Sequence, residues 1–212
     1  MKTIRYTLLT DGPSDRSLIP IINWLLDQYS AYPYESQFPE QQPALRLGLE
    51  GRIRQVLVLY PCELLLVHRD AERESYENRA EEIASNLPAE SPPSVFVIPI
   101  RMTEAWLLTD AGAIRAAADN PAGSDPLALP RPRDLEKIPD PKNVLNGLLE
   151  TASGLTGRRL RRFQTGRRVT RVAELTNSFA ALRTLSAFQS FEEQIKEALR
   201  GLKALAGAFR AT

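Results

Sequence analysis

Three acidic residues stand just after apolar runs. Asp11 follows Ile4-Arg5-Tyr6-Thr7-Leu8-Leu9-Thr10, Asp70 closes Leu64-Leu65-Leu66-Val67-His68-Arg69, and Glu104 comes shortly after Val95-Phe96-Val97-Ile98-Pro99-Ile100. An aliphatic run that stops at polar residues reads as a buried strand delivering them to one end of a sheet. Ligands of open α/β sheets bind beyond the carboxyl ends of the strands, so these acids are candidates for one site. Converging carboxylates are hard oxygen ligands suited to Mg²⁺ or Mn²⁺, with His68 and Glu72 as further donors beside them. His68 and Asp70 are two apart and share one side of an extended strand, whereas Arg69 faces the other. Such a site would hold phosphate oxygens through the metal and serve phosphoryl transfer or phosphodiester hydrolysis. Each residue also has an ordinary structural use: Asp11 can open a turn with Gly12, Glu104 can complement a helix dipole, and His68 can be hydrogen-bonded without metal.

The elements that must position these residues follow from the hydrophobic spacing. Residues 3–10 read as a first strand, and Ser14 or Asp15 can cap a helix with apolar positions Leu18, Ile21, Ile22, Leu25 and Leu26. Residues 30–43 hold three prolines and read as an irregular surface connection. Leu49 to Leu59 is expected to be helical, and Pro61-Cys62 breaks it before the central strand. A charged segment after Asp70 leads into a helix ending near Leu87, and residues 94–100 form a further strand. Thr103 can cap a helix containing Glu104, and another runs from Ala111 to Ala118. Strand-helix alternation argues for an α/β domain with a parallel sheet over residues 1–118. Residues 119–141 read as a long ordered loop or a linker. Helices are then expected from Asp140 through Leu149, from Val172 to Leu182 and from Ser190 to Leu205, with 188–192 as turn and cap. Residues 119–212 are thus a loop and helical extension packed on the first domain.

Arg158, Arg159, Arg161, Arg162, Arg167, Arg168 and Arg171 lie in a stretch without an acid, although the net charge of the chain is only +1. Clustered arginines with Phe163 among them can neutralise phosphates and stack on a base. They can equally form a solvated loop paired with acidic helices or a protein partner. The single cysteine, Cys62, excludes an internal disulfide and a cysteine-based zinc site. No apolar run approaches a membrane span, and Met1-Lys2 leads straight into a strand, so a cytoplasmic protein with no membrane partner is expected. The Gly12 turn has neither the P-loop nor the dinucleotide-binding pattern, so any ATPase must be another chain.

The set Asp11-Gly12-Pro13-Ser14-Asp15, His68-Arg69-Asp70 and Thr103-Glu104-Ala105-Trp106-Leu107-Leu108 resembles the Toprim-related bacterial proteins grouped as domain of unknown function 4276. Asp140-Pro141-Lys142 and Phe188 to Leu199 are similar to the later part of that family, so the resemblance spans most of the chain. It implies a Toprim-like sheet of about four mostly parallel strands with helices on both faces, and a metal-dependent nuclease of a bacterial defence or mobile-element system, often paired with an ATPase partner. Toprim domains carry a proton-handling glutamate after the first strand and an Asp-x-Asp metal pair after a later one. Asp11 stands in place of the glutamate, which implies the proton role for it. Asp70 and Glu104 would hold Mg²⁺ or Mn²⁺, with His68 and Glu72 as additional ligands, and Arg69 or the arginine stretch would grip phosphate. His68 replaces the first acid of the pair, which weakens Mg²⁺ binding and tilts the preference toward Mn²⁺ or another transition metal. The competing expectation is a catalytically degenerate Toprim-like subunit that binds an ATPase partner or nucleic acid.

Overall fold

A computed structural model describes residues 3–208, with side chains to 204; residues 1–2 and 209–212, at the ends of the two expected spans, lie outside the described residues. Four strands, β1 (Ile4–Leu9), β2 (Tyr34–Gln37), β3 (Leu64–His68) and β4 (Ser94–Val97), form one parallel sheet in the order β2-β1-β3-β4. The chain leaves β1 for one side, then crosses back to place β3 on the other. The strand order therefore reverses between β1 and β3, where the loops that follow the two strands part and open a crevice. The register sets Leu9 beside Val67 and His68 beside Val97.

Period-2 alternation explains why β3 reads as an unbroken apolar run. Leu64 and Leu66 face one core, while Leu65 and Val67 face another. Helix α1 (Leu18–Tyr29) covers the first face; α2 (Gly48–Leu59) and α3 (Tyr76–Ser85) cover the second through Ile53, Val56 and Ile83. The α/β class and its two-faced helical cover are as expected. Strand β2 falls within the stretch read as an irregular connection. Its sequence, Tyr-Glu-Ser-Gln, is short, polar and half-exposed, because an edge strand has one unpaired side and little core to face.

The later helices are α4 (Ala111–Ala117), α5 (Pro141–Ser153), α6 (Gly157–Leu160), α7 (Val169–Leu175) and α8 (Ser186–Ala208). Residues of α4, α5, α7 and α8 join the core on the α1 face, so the C-terminal segment is built onto the sheet rather than beside it. Its centre is Trp106, edge-on to Phe188 at 5.3 Å and stacked with Phe191 at 5.8 Å. Helix α8 also covers the open edge of β4, where Gln194 Oε1 accepts the Phe96 amide at 2.9 Å.

Residues 188–192 lie inside α8 and do not form its cap. Glu136, from the distant loop, takes that role: its carboxylate accepts the Ala187 amide and the Ser186 hydroxyl, each at 3.0 Å. A cap supplied from 50 residues away leaves no local sequence signature. Glu136→Ala should therefore destabilise the fold by about 1 kcal/mol, as loss of an N-cap does; urea unfolding measures it, and an unchanged midpoint would remove the capping role. No helix among the described residues is long and apolar enough to cross a membrane.

Candidate functional site

At the carboxyl end of β1 the buried Thr10 turns the chain, donating its hydroxyl to the Gly12 carbonyl at 2.8 Å. Asp15 Oδ2 accepts the Gly12 amide at 3.1 Å. This bond folds Asp15 back over the turn and directs it inward, leaving its side chain 15% exposed. At the end of β3, His68 is buried, and its Nδ1 lies 2.9 Å from the Val97 carbonyl of the neighbouring strand. A carbonyl only accepts, so Nδ1 carries the hydrogen and the ring is fixed with Nε2 pointing into the crevice. There Nε2 stands 3.4 Å from Thr103 Oγ1, 3.6 Å from Asp70 Oδ1 and 3.9 Å from Asp15 Oδ2.

Thr103 does not cap a helix with its side chain. Its amide, at 2.9 Å, and its hydroxyl, at 3.2 Å, both donate to Asp70 Oδ1. Glu104 follows in the same turn, close enough for its charge to act on Asp70. Burial pushes the Asp70 carboxyl up from 3.8 to about 6, reinforced by the charges of Asp15 and Glu104 and opposed by His68 and Thr103. Because the folded value is the higher one, the folded state holds this proton more tightly than the unfolded chain. The group's stabilising contribution is thus full below about pH 4 and is lost as pH rises through about 6, on the order of 2–3 kcal/mol. In chelator-treated buffer, Asp70→Asn should flatten stability between pH 4.5 and 7.5. Urea unfolding at both pH values measures this, and a retained slope would place the burden on another group.

Asp11, expected in the metal cluster, is held elsewhere. Its Oδ1 meets Arg52 Nη1 at 2.6 Å and its Oδ2 meets Arg69 Nε at 3.1 Å. The acid that this turn brings to His68 and Asp70 is Asp15, four residues on. A sequence signal for it existed: Gly12 and Asp15 have the spacing of a capping box, in which the third residue reaches back to the first amide. Arg69 is likewise committed, with Nη1 on Glu82 Oε1 at 3.0 Å, so its guanidinium is tied between Asp11 and Glu82. Glu72 is exposed and has a left-handed backbone; its amide donates to the Arg101 carbonyl at 2.9 Å, and its charge acts on Arg79. Thr103 is read from the sequence only as a helix cap, and Arg52 not at all, because an arginine on an apolar helix face carries no local sign of burial.

Within the arginine stretch, Arg158, Arg159, Arg161, Arg162 and Arg167 are exposed. Arg168 is structural: its Nη1 donates to the Ala117 carbonyl at 2.6 Å and to Asp119 at 2.7 Å, and its guanidinium lies 4.4 Å over the Phe163 ring. One face of Phe163 is therefore covered by Arg168 and is closed to a nucleic-acid base. Helix α7, directly after the stretch, packs on the Pro13–Ser17 and Thr103–Leu107 turns that carry Asp15 and Glu104.

The structure thus gathers Asp15, His68, Asp70, Thr103 and Glu104 at the strand-order reversal and ties Asp11 and Arg69 into ion pairs. Among the described residues, no three His, Cys, Asp or Glu side chains form a ready-made metal-holding group. Compared with protein-family models, curated proteins and solved structures, the chain matches none.

Proposed function

We propose that this chain is a divalent-metal-dependent phosphodiesterase acting on nucleic acid. The observation that carries the reading is the setting of His68. Its Nδ1 is fixed to a carbonyl, as in histidines that ligate metals, and its Nε2 faces Asp70 and Asp15. Among the described residues, Asp15, Asp70 and Glu104 form no ion pair with arginine or lysine, and His68 is the basic side chain that faces Asp15 and Asp70, so a bound cation would meet the charge that remains. One imidazole nitrogen with carboxylates suits Mn²⁺ at least as well as Mg²⁺. Asp15, His68 and Asp70 would hold the ion, which would supply charge stabilisation at the phosphoryl oxygen and an acidified water.

The residues of the chain divide the remaining work. Thr103 fixes the Asp70 carboxylate through two hydrogen bonds. Glu104, whose side chain makes no hydrogen bond among the described residues, takes the proton-handling role that the resemblance assigned to Asp11. The resemblance to Toprim-related proteins supports the same reaction class and a bacterial defence setting with a separate ATPase, and a cytoplasmic address fits that setting. A second reading is favoured by the commitment of Asp11 and by the lack, among the described residues, of three side chains already grouped to hold a metal: a non-catalytic Toprim-like subunit that binds nucleic acid or an ATPase.

Plasmid DNA, single-stranded DNA and total RNA incubated with Mg²⁺ or Mn²⁺ distinguish the two. The phosphodiesterase reading expects cleavage by the wild type and none by Asp70→Ala. Equal cleavage by both, or none by either, would overturn it.

A further inference from the structure

The arginine stretch folds around a shallow, open depression. Helix α6 and the Thr165–Arg168 turn wall a cavity of about 550 Å³, with Ala117, Leu155 and Phe163 in its lining. Arg159, Arg162, Arg167 and Arg171 contribute the charge, and the only acid in the lining is Asp119, which Arg168 already neutralises at 2.7 Å. Arg171 reaches Glu174 at 3.5 Å, whereas Arg159, Arg162 and Arg167 make no ion pair among the described residues. Like charges gathered in a concavity repel one another, so the fold must hold them there. Arg168 does so, as a positioning residue: its hydrogen bonds to Ala117 and Asp119 and its stack on Phe163 pin the turn that carries Arg167.

We propose that this basin is a seat for the terminal phosphate of a nucleic-acid strand. A phosphodiester carries a single negative charge, while a phosphate monoester carries about −1.5 to −2 at pH 7. Three arginines without an ion pair among the described residues, lining one depression, match the monoester better, and the planar fork of arginine suits its oxygens. The volume falls within the range of pockets that hold small ligands, so a terminal nucleotide has room. With one face of Phe163 under Arg168, the seat reads phosphate and not base identity. Naming nucleic acid as the carrier rests on the phosphodiesterase reading; the seat itself does not.

Binding in chelator, where no cleavage occurs, separates the two claims. Fluorescence anisotropy with one single-stranded oligonucleotide bearing a 5′-phosphate, a 3′-phosphate or hydroxyl ends reads the preference, with the corresponding mononucleotide and inorganic phosphate as competitors. One phosphorylated form should bind about 10-fold tighter than the hydroxyl form, the difference expected of one added charge-assisted contact. Arg162→Ser with Arg167→Ser should erase that preference. These positions are exposed and lie outside the acid site, so folding survives the change. Equal affinity for all three oligonucleotides would overturn the proposal, as would retention of the preference in the double variant. Competition by the mononucleotide at the concentration of the oligonucleotide would also overturn it, since the seat would then serve a free small phosphate. A positive result from a protein that cleaves nothing would leave the seat standing while the phosphodiesterase reading falls.

Discussion

Asp15→Asn is expected to lower metal-dependent turnover by at least about 100-fold, the upper range for disturbing the surroundings of a metal ligand, whereas Asp11→Asn should lower it by less than about 10-fold. Asparagine at position 15 keeps an oxygen for the Gly12 amide, so the turn survives while the negative charge facing His68 is lost. At position 11 the same change removes charge from an ion-paired group that stands between Arg52 and Arg69. The two variants differ from the wild type by the same atoms, at the two ends of one five-residue turn. Initial rates at saturating Mn²⁺, with circular dichroism to verify folding, decide between them. Equal losses, or the larger loss at Asp11, would return the site to the arrangement first read from the strand ends.

Arg52→Met should lower the unfolding free energy by about 3 kcal/mol, and the melting temperature by roughly 6–12 °C for a chain of this size. Arg52 is only 2% exposed and belongs to α2, yet it serves the end of β1. Its Nε donates to the Pro43 carbonyl at 3.1 Å, its Nη2 to the Thr10 carbonyl and its Nη1 to Asp11. Methionine fills much of the volume but leaves two carbonyls without donors, each costing about 1–3 kcal/mol. The Asp11 pair adds little, because that carboxylate is 41% exposed and retains Arg69. Urea unfolding in chelator measures the change. A loss below about 1 kcal/mol would mean that water replaces the guanidinium and that Arg52 does not hold the β1 turn.

Much of the sheet was legible because burial imposes the pattern that a reader detects. Leu64 to Val67 can be apolar at every position only in a strand covered on both faces. β2 was not legible, since an edge strand needs no apolar pattern. Asp110 and Asp140 stand before their helices as local caps, accepting from Ala113 and Asn143, and such caps can be read. The Glu136 cap of α8 cannot, because its partner is remote in the chain. The site divides in the same way. His68, Asp70 and Glu104 follow from the strand ends, and the structure brings them together. The choice between Asp11 and Asp15 depends on where Arg52 and Arg69 lie, and only tertiary structure fixes that. The role of Thr103 was hidden for a similar reason: a threonine at a helix start looks like a cap whether it serves its own helix or a neighbouring carboxylate.

The claim on which the rest depends is that Asp15, His68 and Asp70 jointly hold a divalent cation. Calorimetric titration of Mn²⁺ into the chelator-treated protein at pH 7.5 tests it without requiring a substrate. Joint ligation predicts a single binding event per chain, abolished by Asp70→Ala and by His68→Ala and retained in Asp11→Asn. No heat of binding in the wild type, or binding that survives loss of both Asp70 and His68, would contradict it.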